Sequence, residues 1–168
     1  LDGALFAGGW PLSVLMRHMG IGNPAAKAQS GDIDIFIPLN AEDHENYVES
    51  HVFRALRFDG WRIRRPGQVR DRVPPLAYVT FDRFIAVHAT ASTQIDLILL
   101  GQDVDPRNHV AQFDLSCCQC WFDGLFPGAN HWTATANGTA FVAKRNASEE
   151  RIAKYRGRGF DVNVVWDY

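Results

Sequence analysis

The segment SGDIDIFIPL, residues 30–39, places two aspartates two positions apart in an otherwise apolar run. Residues two apart in a β-strand point to the same side, so Asp32 and Asp34 share one face, roughly 7 Å apart. Two like charges on a largely apolar strand repel each other and resist burial unless a cation or water lies between them. Carboxylate oxygens are the hard ligands that suit Mg²⁺ carrying substrate phosphates. The spacing therefore indicates a metal site, with a solvent-facing edge strand as the alternative.

A third acid interrupts an apolar strand later in the chain. Asp96 lies in TQIDLILL, residues 93–100, and Asp114 lies in FDLSCC, residues 113–118. Acids that hold two metal ions about 4 Å apart can activate an attacking oxygen and stabilise a leaving one. Asp96 is the preferred third carboxylate because apolar residues flank it closely on both sides, and Asp114 is its competitor. For Asp96 and for Asp114, the alternative is a structural one: an acid at the solvent-exposed end of a strand.

A pair of glycines, Gly8 and Gly9, runs directly into a predicted helix. Glycines at a helix start let backbone N–H groups approach a phosphate closely, and the positive end of the helix adds attraction. The pair indicates a phosphate contact, although a simple turn before a helix is the commoner meaning of Gly-Gly.

The elements that must position these residues follow from periodicity. A helix is predicted from Pro11, with apolar residues at helical spacing as far as Gly20. Two more are predicted, one over residues 41–58 and one from residue 147 that ends at Gly157 or Gly159. Strands are predicted over residues 32–39, 76–81, 83–90, 93–100 and 113–122. This mixture predicts an α/β (α+β) class with a mixed β-sheet and flanking helices. Residues 1–168 are expected to form a single domain, and the lack of an initial Met allows for a segment of a longer chain.

Composition limits the class of protein. The chain is 46% hydrophobic and 21% charged with a net charge of −2, which is typical of a globular domain and offers no membrane-spanning run. Its three cysteines lie together in SCCQC, too close for a disulfide framework, so a reducing, cytoplasmic compartment is expected. Basic residues cluster over residues 62–72 and 144–158, which indicates contacts with the phosphates of a nucleotide or an RNA; solvated surface is the alternative.

Together these motifs resemble the DNA polymerase β-like nucleotidyltransferase superfamily. Its signature is a Gly-Gly or Gly-Ser turn that opens a helix, then two aspartates in an h-D-h-D-h strand (h apolar), then a later h-D-h strand. The run FAGGWPLSVLM…SGDIDIFI is also similar to minimal nucleotidyltransferase-like proteins of phages and large viruses and to abortive-infection toxin enzymes. A viral protein is therefore one expectation. The chain departs from the pattern at Gly9, where Ser is common, and at Gly31, which separates Ser30 from Asp32.

The resemblance implies a polymerase β-like fold and a two-metal site. Asp32, Asp34 and Asp96 would hold two Mg²⁺ or Mn²⁺ ions, and Gly8, Gly9 and Ser30 would contact a bound nucleoside triphosphate (NTP). The enzyme would transfer a nucleoside monophosphate to an unidentified acceptor, RNA or protein, and would not need a membrane. One alternative is a catalytically inactive module of the same fold in a larger, viral assembly. The other is a metal-dependent phosphohydrolase.

Overall fold

A computed structural model of the chain describes residues 3–22, 32–38, 48–65, 80–101, 104–142 and 147–164. The strands are β1 (Leu5–Ala7), β2 (Ile33–Pro38), β3 (Arg62–Arg64), β4 (Thr80–Val87), β5 (Ile95–Leu100), β6 (Cys120–Phe122), β7 (Pro127–Ala129), β8 (Thr139–Phe141) and β9 (Asp161–Asn163). The α-helices are α1 (Gly9–Met19), α2 (Arg54–Phe58), α3 (Pro106–Val110), α4 (Trp132–Ala136) and α5 (Glu149–Gly157). A π-helical turn, Val48–Phe53, leads into α2, and a 3₁₀-helix, Ser116–Cys118, precedes β6.

Seven strands form one mixed sheet in the order β3-β4-β5-β2-β1-β6-β7. Strands β2 and β5 run parallel, and the other neighbours in this sheet pair antiparallel. Strands β8 and β9 form a separate parallel pair. The predicted α/β class with a mixed sheet and flanking helices is confirmed. The strand with the paired aspartates is central, so the edge-strand alternative is wrong.

Alternation along β2 and β5 sends one set of apolar residues to a single core. Ile35 and Ile37 on β2 and Leu97 on β5 are buried on the same face of the sheet. The π-helical turn and α2 cover this face, with Val52 and Phe53 among the buried residues of the cluster. Burial of this apolar surface fixes the register of the strands, because a slip by one residue would turn the isoleucines away from the core.

A second core lies beyond β1, where α1 and α5 meet the 3₁₀-helix. Its buried residues include Leu12 and Met16 of α1, Leu115 and Tyr155. The three cysteines are free and buried here, as expected, but Cys117 and Cys118 lie on the 3₁₀-helix rather than on the predicted strand. Burial is the main cause that raises the pKa of Cys120 to about 12, so its thiol stays protonated.

The helix ends follow their local sequence. Helix α1 ends at Gly20 as predicted, because Gly20 adopts the left-handed conformation with φ 73°. Helix α5 is capped by Ser148, whose Oγ accepts a hydrogen bond from the Arg151 N–H. Arg62 and Arg64, from the first basic cluster, form part of edge strand β3. Within the described ranges, no helix combines the length and the apolar character needed to cross a membrane.

Candidate functional site

Asp34 and Asp96 lie opposite each other on parallel strands. The register of β2 and β5 pairs these two residues directly, so their backbones are about 5 Å apart and their side chains share one face of the sheet. Asp34 is partly buried and Asp96 is 5% exposed. Asp32 stands just before β2 and is exposed to solvent. The structure thus places Asp34 beside Asp96 at the start of two neighbouring strands, with Asp32 two residues before Asp34 in the chain.

The Asp34 carboxylate has no direct side-chain partner among the residues that the structure describes. Across the described segments, neither Asp32 nor Asp34 has a hydrogen-bond or ion-pair partner for its side chain. The pKa of Asp34 is raised to about 7, first by burial and then by the carboxylates of Asp96 and Asp32, against weaker effects of Arg83 and Arg151. A carboxylate in this setting gains from a bound proton or a bound cation.

The diglycine turn lies against the Asp34 carboxylate. Gly8 has φ 80° and ψ −132°, a conformation that residues with a side chain rarely adopt. A Cβ atom on Gly8 would lie 3.3 Å from Asp34 Oδ2. The backbone N–H of Gly8 donates to the Cys120 carbonyl at 3.1 Å, which fixes the turn to β6. The first two motifs of the sequence are therefore adjacent in space.

Asp96 already has partners on its own side of the sheet. Arg83 on β4 forms an ion pair with Asp96 Oδ2, and Gln94 Nε2 donates to Asp96 Oδ1 at 2.7 Å. Sequence reasoning missed Arg83, although it interrupts the apolar strand β4 much as Asp96 interrupts β5. The sequence did contain a signal for this ion pair, because a basic residue interrupts one apolar strand and an acidic residue interrupts the other.

Asp114 lies in the loop that precedes the 3₁₀-helix, not on a strand. Its carboxylate accepts hydrogen bonds from Arg151 Nε at 2.9 Å and from the Leu115 N–H at 3.0 Å. Arg151 also lowers the pKa of Asp34, so this guanidinium lies within electrostatic range of both acids. Asp96 is thus the acid in register with Asp34, whereas Asp114 reaches the site through Arg151.

The donor atoms suit a hard cation, although the described side chains do not form a closed cage. Carboxylate oxygens are preferred Mg²⁺ ligands, and Asp32 and Asp34 are unpaired. Within the described ranges, no three His, Cys, Asp or Glu side chains are grouped so that they can hold a metal ion. Both oxygens of Asp96 are engaged, one by Arg83 and the other by Gln94. Ser30, the remaining predicted contact, lies outside the described residues.

The chain matches no protein-family model and no curated protein. The functional argument therefore rests on the geometry of the three acids and the diglycine turn.

Proposed function

We propose that the chain is a nucleotidyltransferase of the polymerase β-like fold, dependent on Mg²⁺ or Mn²⁺ and on an NTP. The observation that carries this proposal is the pairing of Asp34 with Asp96 across β2 and β5, with Gly8 against the Asp34 carboxylate. Acids on neighbouring strands beside a helix-opening glycine turn give a metal–triphosphate complex both its ligands and its phosphate contacts.

Asp32, Asp34 and Asp96 are the residues that would hold the metal. Asp32 and Asp34 are ready to do so, and Asp96 would have to exchange its Arg83 contact. When bound, Mg²⁺ supplies positive charge that neutralises the phosphate oxygens. Asp34 must lose its proton first, and this occurs near neutral pH because its pKa is about 7.

The reaction transfers a nucleoside monophosphate. A bond forms between the acceptor oxygen and the α-phosphorus as the bond from the α-phosphorus to the bridging oxygen breaks, and pyrophosphate leaves with the bonding electrons. The acceptor hydroxyl loses its proton to a carboxylate of the site. Asp96 is the residue that we assign to orient or deprotonate the acceptor, because its backbone lies next to that of Asp34.

The test combines metal binding with transfer. We expect Mn²⁺ to bind the wild-type protein, and we expect Asp34→Asn and the double variant Asp32→Ala/Asp34→Ala to lose at least about tenfold in affinity. Asp161→Asn, which removes an exposed carboxylate from the separate sheet, is the matched control and should bind as wild type does. Undiminished Mn²⁺ binding by the double variant would rule out this metal site.

Incubation with each α-labelled NTP and a mixed pool of RNA and protein then identifies the chemistry. Transfer of label to RNA or protein, lost in Asp34→Asn, supports the proposal. Label that is released as a free nucleotide, with no acceptor modified, indicates the phosphohydrolase instead.

A second candidate function is a catalytically inactive binding module. The Arg83–Asp96 ion pair favours it, because an arginine then supplies the positive charge that an enzyme takes from a metal. This candidate predicts neither Mn²⁺ binding nor label transfer, and it predicts that Arg83→Gln is destabilised by an unpaired buried acid. The transferase proposal predicts that Mn²⁺ offsets this destabilisation.

A further inference from the structure

The N-terminus of α1 has backbone donors with no acceptor inside the helix. The first amides of a helix lack intrahelical partners, and α1 has no side-chain cap. Gly8 donates to Cys120, and Pro11 has no N–H. Among the described residues, the N–H groups of Gly9 and Trp10 have no acceptor, and both residues are partly exposed. These two donors and the helix dipole favour an anion.

Arg158, at the end of α5, is a buried cation without an acid. The residue is 5% exposed, and its Nε is buried. In the part of the chain that the structure describes, that Nε has no hydrogen-bond acceptor, and no carboxylate forms an ion pair with the guanidinium. The guanidinium lies over the ring of Tyr155, with Cζ 5.1 Å from the ring centroid. A buried charge with so little compensation is costly unless a ligand completes it.

The two features meet at Gly9. The carbonyl of Arg158 lies near Gly22, beyond the end of α1, while its Nη1 lies beside the first residue of that helix. A Cβ atom on Gly9 would lie 4.0 Å from Arg158 Nη1 and 3.7 Å from the Tyr155 hydroxyl. The guanidinium therefore reaches the same place as the free helix donors.

We propose that Arg158 and the N–H groups of Gly9 and Trp10 form a binding site for a terminal phosphoryl group. A terminal phosphoryl has three free oxygens, which suits several donors that converge with one cation. The site deepens the proposed function, on which its natural ligand class rests, because it assigns a positioning residue for the polyphosphate end of an NTP. At the position of Gly9, the superfamily that the chain resembles commonly has Ser. The absence of a side chain at Gly9 leaves room for the phosphoryl group beside the guanidinium.

Tripolyphosphate binding in EDTA tests the site without any metal. We expect saturable binding by the wild-type protein, at least about tenfold weaker in Arg158→Gln, because a charge-assisted hydrogen bond is lost. Arg158→Lys should recover part of the affinity. Lys154→Gln, which removes the same charge from an exposed position of the same helix, should bind as wild type does. Equal affinity in the Arg158→Gln and Lys154→Gln variants would overturn the proposal.

Gly9→Ala tests the same site without touching the cation. Both contacts of the added Cβ are at ordinary van der Waals distance, and Ala favours a helix, so the variant is expected to fold. The methyl group would occupy the space beside Arg158 Nη1 and should weaken tripolyphosphate binding by at least about tenfold. Wild-type affinity in Gly9→Ala would place the anion elsewhere. Tighter binding of an oligonucleotide without terminal phosphates than of tripolyphosphate would contradict the ligand class.

The site and the transferase can fail separately. Tripolyphosphate binding that depends on Arg158, with no Mn²⁺ binding and no label transfer, supports the phosphoryl site and refutes the enzyme. Label transfer with an NTP KM unchanged in Arg158→Gln supports the enzyme and refutes the phosphoryl site.

Discussion

At the scale of single residues, Asp34 combines partial burial with the absence of a partner in the described chain. The raised pKa follows from this, with burial as the first cause and the neighbouring acids as the second. A protein that keeps such a residue without a ligand loses stability for it. A bound cation would offset this loss of stability, because it binds the folded state and neutralises the carboxylate. The instability caused by Asp34 is therefore linked to its proposed role.

Because the buried Asp34 carboxylate lowers the stability of the fold, the free energy of unfolding is predicted to depend on pH. Its carboxyl ionises near 3.8 in the unfolded chain and near 7 in the folded protein. Between these values the folded state binds the extra proton, so the contribution of Asp34 to the free energy of unfolding falls as pH rises from about 4 to 7 and is constant above. Asp34→Asn removes this loss and is expected to be more stable than wild type by on the order of 2 to 4 kcal/mol at pH 8.

Urea denaturation in EDTA from pH 4 to 8 checks this expectation. The difference in unfolding free energy between Asp34→Asn and wild type should be small at pH 4 and should widen to pH 8. Asp161→Asn provides the baseline for an exposed carboxyl. A constant difference across the pH range would show that Asp34 ionises normally in the folded protein.

At the scale of elements, the strands of the site follow from sequence, and their neighbours do not. The apolar runs IDIFI and IDLILL predicted strands β2 and β5, and alternation in the first of them predicted the face of Asp34. The pairing of these strands was not predictable from pattern, because β3 and β4 intervene in the chain and nothing local fixes which strand lies beside β2. For the same reason the Arg83–Asp96 pair was missed: it depends on the register of β4 against β5.

Arg158 shows a second limit of periodicity. As part of the basic cluster over residues 144–158, Arg158 is expected either to contact phosphates or to face solvent. Arg158 is instead the residue that ends α5, and the chain turns at Gly159, where φ is 92°. Its side chain follows α1 and is buried, while Lys154 stays exposed. The helical wheel does not apply to a residue at the cap.

Replacing each of the two glycines in the turn between β1 and α1 by Ala is expected to change stability differently. Gly8→Ala forces a side chain into a backbone conformation with φ 80° and brings its Cβ to 3.3 Å from Asp34 Oδ2, so we expect a loss of roughly 1–3 kcal/mol. Gly9→Ala has neither problem and should keep or slightly increase stability. Chemical denaturation of both variants at one pH checks this. Equal stabilities would mean that the turn relaxes to accept a side chain at Gly8.

At the scale of the whole molecule, the candidate site lies where the two cores meet. Asp34 and Asp96 belong to the sheet whose opposite face forms the first core, and Gly9 and Arg158 belong to helices that form the second. Strand β1 joins them, because it pairs with β2 on one side and with β6 on the other. A ligand held by both parts would need both to be folded at once.

Shared strands predict that the two cores unfold together. Leu97 and Leu115 are fully buried, one in each core, and replacement of either by Ala is expected to lower the unfolding free energy by about 2–5 kcal/mol. Because β1 and β6 connect the cores, each variant should still show a single transition, with coincident curves from tryptophan fluorescence and far-UV circular dichroism. Two separate transitions in Leu115→Ala would mean that the second core unfolds alone. In that case tripolyphosphate binding should disappear with the first transition while the sheet that holds Asp34 and Asp96 persists.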